Sequence, residues 1–228
     1  MTDERLAACA KCPYDWAERY CRGEKGKAPA DCPSINHRNL VRQSLEVTKD
    51  EKVLPFARQA SIQEAEGYGG REQGYAAVYP IKPRIVETVE FARRMGYRRL
   101  GLLFCVGLRR EAAVVQEILE TNGFEVVSVC CKVGRVPKDE LGLDRSQQID
   151  PNGPETMCNP VLQAEVCNRQ GTQFNILLGL CVGHDSLALG HSQAPCTVLA
   201  VKDRLLGHNP LAAIYNYQGY YRYLKNSL

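Results

Sequence analysis

No apolar stretch in this chain approaches the ~18 residues that a membrane-spanning helix requires. The region after Met1 has no apolar core of the signal-peptide kind, so a cytoplasmic protein is the expectation. No basic stripe interleaved with aromatic residues occurs, and nucleic acid, like a membrane, is not an expected partner. Neither a phosphate-binding loop nor a dinucleotide fingerprint is present, so ATP and NAD are not inferred. No sign of charge dominates: 29 basic and 26 acidic residues are interspersed, giving a net charge of +3. Arg93, Arg94, Arg98 and Arg99 read as a solvated face.

What the chain does have is cysteine, 11 residues in 228. A reducing compartment disfavours a disulfide framework, the count is odd, and a chain of this length needs no staples. Metal or cluster ligation, or thiol chemistry, is the economical reading. Three apolar runs each end in a cysteine followed closely by Val-Gly: Cys105-Val106-Gly107, Cys131-Lys132-Val133-Gly134 and Cys181-Val182-Gly183. Short apolar runs flanked by helical patterns read as buried parallel strands. Open α/β sheets bind ligands at the carboxyl edge of such strands.

Three regions follow from the pattern. Residues 1–40 form a cysteine-rich metal- or cluster-binding module with little apolar periodicity. Residues 41–80 form a helical connecting region, with 67–80 as loop. Residues 81–228 form an α/β domain, read as a Rossmann-like three-layer sandwich with a mostly parallel sheet. Within it Pro83 takes a first helical position and Gly96 stops that helix. Strands are expected over 100–105, 124–131, 174–180 and 197–201, with helices over 109–122, 159–168 and 186–190 and another opening at Asn209-Pro210. Asn159 caps its helix and Pro160 fills its first turn. The polar excursion over 134–157 is too long for a turn and suggests a functional loop or lid. Tyr217, Tyr220, Tyr221 and Tyr223 in the tail read as packing residues with wet hydroxyls.

Cys105, Cys131 and Cys181 end their strands at one sheet edge. Cys158, at a helix start, reaches the same edge, where the helix dipole favours its thiolate. Four converging thiolates repel one another unless a cation neutralises them, which a [4Fe–4S] cluster or a zinc ion does. Cys130 points the other way from Cys131 in a strand, and Cys131, nearer the edge, is preferred as ligand. Cys196, at the opposite edge, and Cys167, inside a helix, read as packing residues. Cys9, Cys12, Cys21 and Cys32 form a second ligand set. Its spacing matches neither the common zinc-finger pattern nor the compact ferredoxin run, so zinc and an iron–sulfur cluster both stay open there. His184 is a candidate proton donor with Asp185 fixing its tautomer; the competing reading has Asp185 or Ser186 capping a helix. Lys202, Asp203 and Arg204 face the crevice, where the cations hold an anionic substrate or offset cluster charge, or are simply exposed. Arg109 and Arg110 carry the same two readings, and His208 reads as a loop residue.

On these residues the chain resembles the cysteine-rich bacterial and archaeal family catalogued as domain of unknown function 1847. The resembling segments are the Cys9, Cys12, Cys21, Cys32-Pro33 set, Phe104 to Arg109, Cys130 to Gly134, Met157 to Pro160, Gly179 to Ser186, Val201 to Arg204 and Gly207 to Pro210. The stretch between Cys12 and Cys21 is longer than the resemblance leads one to expect. The resemblance implies metal binding and no particular reaction.

Three functions compete. In the first, Cys105, Cys131 and Cys158 hold a [4Fe–4S] cluster in an oxidoreductase or lyase acting on a small molecule. One iron is left for substrate, with Cys181 as fourth ligand, displaceable ligand or catalytic thiol, and Lys202 and His184 serve the reaction. The second is a non-catalytic carrier, redox sensor or electron-transfer module working with a redox partner protein. The third is a zinc-braced thiol enzyme. Fourfold cysteine ligation favours a carrier, because catalysis needs an open position.

Overall fold

Twelve residues, Arg38–Lys49, form a helix of the N-terminal part (α2), preceded by the single turn α1 (Pro33–Asn36) and followed by α3 (Leu54–Glu66). The computed structural model describes residues 6–228, so the Met1 region lies outside the described residues. The chain divides into two units, Met1–Ile62 and Gln63–Leu228. No residue from 6 to 62 is buried. Leu40, Val41 and Leu45 on α2 are all about half exposed or more, so the described residues of the first unit form no apolar core of their own.

The second unit opens with a short antiparallel pair, β1 (Tyr68–Gly69) with β2 (Tyr79–Pro80), where the sequence predicts only loop. Glycine permits this pairing: a Cβ on Gly69 would lie 2.8 Å from Cζ of Tyr79. Next come α4 (Arg84–Arg94), β3 (Arg99–Phe104), α5 (Arg109–Thr121), β4 (Glu125–Cys130), α6 (Pro160–Arg169) and β5 (Phe174–Leu180). The chain closes with α7 (His184–His191), β6 (Cys196–Val201) and α8 (Leu211–Tyr215). Pro83 caps α4 in an extended conformation and is not its first helical residue. β3 and β4 each end one residue before the predicted limit, so Cys105 and Cys131 stand just past them. α7 starts two residues earlier than predicted, because Gly183 at φ 84° turns the chain straight into the helix. β6 begins at Cys196 itself.

The four strands β4-β3-β5-β6 form one parallel sheet in that order. The chain leaves β3 for β4 on one side, then passes back to β5 and β6 on the other, so the direction of winding reverses between β3 and β5. Open α/β sheets hold ligands at this kind of reversal. β5 is buried at every position, the signature of a strand covered on both faces. Leu103, Leu177 and Val129 point to the face that packs on Ala164 and Cys167 of α6. Phe174, of opposite parity to Leu177, meets the ring of Phe91 on α4 at 5.4 Å. Among the described residues no helix is long and apolar enough to cross a membrane.

Close packing on the α6 face depends on Gly101. A Cβ there would lie 2.1 Å from Oδ1 of Asn175 and 3.0 Å from Sγ of Cys167. Both neighbours are fully buried, and Oδ1 of Asn175 already accepts from the Thr172 hydroxyl at 2.8 Å. Gly101→Ala is therefore expected to destabilise the second unit by about 1–3 kcal/mol, the usual cost of overpacking. Urea unfolding followed by circular dichroism checks this; an unchanged midpoint would show that the sheet gives way freely.

Candidate metal centre

Side-chain alternation decides which cysteines meet. Residues 103 and 105 on one strand, and 127, 129 and 131 on the next, share the face that carries α6, and Cys158 lies just before that helix. Cys105 and Cys158 both pack against the cluster that contains Cys131. Asn159 caps α6 by accepting from the Leu162 N–H at 3.0 Å, and its own N–H donates to the Cys131 carbonyl at 2.8 Å. That stitch holds the loop before α6 against the end of β4. It leaves the Cys158 and Cys131 sulfurs 3.7 Å apart. The Val106 N–H points at the Cys131 sulfur from 3.3 Å. Cys131, not Cys130, is the member of the pair that reaches Cys158.

The end of the sheet is tied from below by Gln163, fully buried on α6. Its amide donates to the carbonyls of Phe104 at 3.2 Å and Val129 at 2.6 Å. It thereby clamps β3 and β4 at the residues that precede their cysteines. A glutamine in a helix interior carries no sequence signal for this role; only the strand-end carbonyls above it reveal it.

Cys181 is placed by a different device. Gly179 has φ 66°, and the pairing of β5 with β6 slips between Leu177 and Leu178 and again between Leu178 and Leu180, across this glycine. Strict alternation would set Leu177 and Gly179 on one face, yet Leu180 joins the cluster of Leu177. The bulge therefore shifts the side-chain phase by one residue and re-aims Cys181. A Cβ on Gly179 would meet Leu108 at 2.2 Å, so only glycine fits. The Cys181 sulfur accepts from Nη2 of Arg204 at 3.0 Å.

Charge around the thiols is positive. Cys158 is pulled below the ordinary thiol range, first by the hydrogen bond it shares with Cys131, with help from Lys132, His184 and Lys138 and against the cost of burial. Cys131 is pushed up by the same shared bond and by burial. Lys132 donates to the Thr156 carbonyl, and Lys138 pairs with Glu155 at 2.8 Å. These contacts, with a Pro137–Thr156 bridge, close the base of the 134–157 excursion. Lys202 points to the same edge: a Cβ on Gly107 would stand 3.6 Å from its Nζ and 3.8 Å from the Cys105 sulfur. Lys132 and Lys138 escaped the sequence reading because they lie beyond the strand ends.

The other predicted residues fall as follows. His184 opens α7 and adds its charge to the environment of Cys158. The Asp185 carboxylate accepts from the Ser186 N–H at 2.8 Å, a local helix-start contact. His208, at φ 67°, accepts at Nδ1 from the Asp203 N–H and belongs to a turn. Arg109 and Arg110 are exposed. Cys196 starts its strand, at the opposite end from the thiol edge, and Cys167 is fully buried, its thiol pushed up to about 12 by desolvation.

In the first unit, Cys9, Cys12, Cys21 and Cys32 all line one cavity of about 60 Å³, beside Arg19 and Lys27. Cys9 and Cys12 face it from one turn, closed by the Cys12 N–H on the Cys9 carbonyl at 3.2 Å. Cys32 enters from the cap of α1, and a bridge between Arg19 and Lys27 sets Cys21. All 11 cysteines are free thiols. Among the described residues no three Cys, His, Asp or Glu side chains already stand as a metal-holding group. The donor chemistry fits nonetheless: four thiols on one cavity, and at the sheet edge three thiols in one cluster ringed by cations.

A family model described as "Protein of unknown function (DUF1847)" matches residues 32–199. That stretch takes in Cys32 and the cysteines of the sheet, and leaves out Cys9, Cys12, Cys21 and the Lys202–Arg204 turn. The uncharacterized protein MJ0455 of Methanocaldococcus jannaschii is 39% identical over 178 residues, which is 78% of this chain and 84% of that protein.

Proposed function

The chain belongs to the DUF1847 family, and from its own residues we propose that it is a metal-binding protein built around two thiolate sites. Cys105, Cys131 and Cys158 would hold an iron–sulfur cluster, of the [4Fe–4S] type, at the carboxyl edge of a Rossmann-like sheet. Cys181 is the fourth sulfur of that edge. Cys9, Cys12, Cys21 and Cys32 would hold a second cluster, or a zinc ion, in the 1–40 module; the cytoplasm, which keeps thiols reduced, suits both. One observation supports the reading: the Cys131 and Cys158 sulfurs stand 3.7 Å apart at a winding reversal, with Cys105 packed on the same group of side chains and Lys132, Lys138, His184 and Lys202 at that edge. Cations at that edge favour thiolate over thiol and offset the negative charge that a thiolate-ligated cluster carries. Such a cluster supplies electron transfer or a Lewis-acidic iron to a small molecule. His184 would offer a proton at that edge and Lys202 a cation for substrate. Asp185 is left to brace the start of α7. A cluster-dependent oxidoreductase or lyase is the enzyme this arrangement supports best.

A single zinc ion is the second reading, favoured by one distance. Two thiolates each ~2.3 Å from a tetrahedral ion stand about 3.8 Å apart, close to the Cys131–Cys158 separation. Quantification of iron, zinc and acid-labile sulfide on anaerobically purified protein, with electron paramagnetic resonance, decides. Iron and sulfide in equal amounts, with broad visible absorption, are the expected result. Zinc without sulfide would establish the second reading, and protein with neither would end both.

A further inference from the structure

Resting on the cluster reading, we infer that Cys181 is not a ligand and that the corner it forms with Arg204 and Lys202 binds a small carboxylate. Three observations converge. The Cys181 sulfur is occupied by the Arg204 guanidinium at 3.0 Å, whereas the Cys158 sulfur faces that of Cys131 at 3.7 Å. A [4Fe–4S] cluster held by Cys105, Cys131 and Cys158 lacks one cysteine ligand, as a substrate-binding site requires.

The second observation concerns charge. The carboxylate nearest in sequence to both cations, Asp203, accepts from the N–H groups of Leu205 at 3.0 Å and Leu206 at 2.8 Å. Together with the Asp203 N–H on His208, these bonds shape the turn that carries Arg204. Among the described residues neither Lys202 nor Arg204 has a carboxylate within ion-pairing distance. Two cations are therefore presented at the thiol edge with their neighbouring anion engaged elsewhere.

The third is placement. The Lys202 N–H is anchored on the Leu180 carbonyl at 3.0 Å, and its ammonium reaches the bare backbone of Gly107 beside Cys105. Cys181 is half-buried and Arg204 exposed, so a solute can reach the guanidinium. A planar fork matched by a point charge selects a carboxylate over a neutral or cationic molecule.

The test uses the anaerobic full-length chain. Cys181→Ala should keep the iron and sulfide of wild type, whereas Cys105→Ala should lose one cluster's share of both. Adding acetate should shift the resonance of the reduced cluster in wild type. Arg204→Gln should raise the half-saturating acetate concentration about tenfold or more, the scale of one charge-assisted hydrogen bond. Methylammonium should produce no shift. Loss of iron in Cys181→Ala equal to that in Cys105→Ala would overturn the inference and leave the cluster reading standing. So would an acetate response unchanged in Arg204→Gln, or no response in iron-loaded wild type. Wild-type protein without iron would instead overturn the cluster reading, and this inference with it.

Discussion

Cys158→Ala should strip the protein of the metal held at the sheet edge while leaving the metal of the first unit in place. The expectation is large because removing a ligand from a cluster is not graded. Cys158 is the thiol most inclined to be charged: it shares a hydrogen bond with Cys131 and lies among Lys132, His184 and Lys138. A neutral alanine removes the sulfur that those cations favour as thiolate and leaves Cys131, only 3% exposed, as a buried thiol whose ionisation burial opposes. The fold should survive, since the N-cap that starts α6 is Asn159 and its bond to Leu162 does not involve the sulfur. Iron and sulfide per chain, measured against Cys196→Ala, provide the check. Cys196 lies at the other end of the sheet, its sulfur directed to the Ala194 carbonyl at 3.4 Å, and its loss should leave metal content intact. Unchanged iron in both Cys105→Ala and Cys158→Ala would remove these residues from any ligand role. Loss of iron in Cys196→Ala would mean that the two ends of the sheet have been given the wrong tasks.

Which parts of this arrangement can be read from the sequence follows from how local their causes are. Asn159-Pro160 is a helix start written in two residues, and α6 begins where it predicts. The run from Phe174 to Leu180 is apolar enough that only a doubly covered strand suits it, and β5 has those limits. The parallel sheet follows from strands alternating with helices. The Gly179 bulge is another matter. It depends on Leu108, more than seventy residues earlier, filling the space a Cβ would take, and no window of sequence contains both. The Cys181–Arg204 contact has the same character: both residues are visible at strand ends, but their pairing needs β5 and β6 side by side. The clamp by Gln163 is legible only once the carbonyls of Phe104 and Val129 are known to end adjacent strands. In the 67–80 stretch the pairing of β1 and β2 is two residues long, too short for alternation to mark it. Sequence patterns thus report what each element buries, whereas the site is made of what different elements share.

The first unit should lose its structure when its thiols cannot hold a metal. From residue 6 to 62 no side chain is buried, so hydrophobic burial, the largest favourable contribution in ordinary folding, is nearly absent there. Each ordered residue costs about 1–2 kcal/mol of backbone entropy, and what opposes this in the cysteine-rich part is slight. The described residues there show an exposed ion pair, Lys27 with Glu18 at 2.6 Å, and cations near rings, the Arg22 guanidinium 5.7 Å from Trp16 and the Lys27 ammonium 5.8 Å from Tyr14. Exposed pairs of this kind contribute little. A structural metal contributes on the order of 10 kcal/mol when four thiolates bind it, far more than exposed pairs can. The double substitution Cys9→Ser with Cys12→Ser is therefore expected to release the turns around the cavity. Amide exchange reads this residue by residue. The Tyr20 N–H on the Lys27 carbonyl and the Lys27 N–H on the Glu18 carbonyl, at 2.9 and 2.7 Å, should lose protection by orders of magnitude, while the buried amides of β5 keep theirs. Adding a strong chelator to wild type should reproduce the same pattern. If the Tyr20 and Lys27 amides stay protected in the double variant, the four cysteines do not brace this unit, and its order must come from contacts that require no metal.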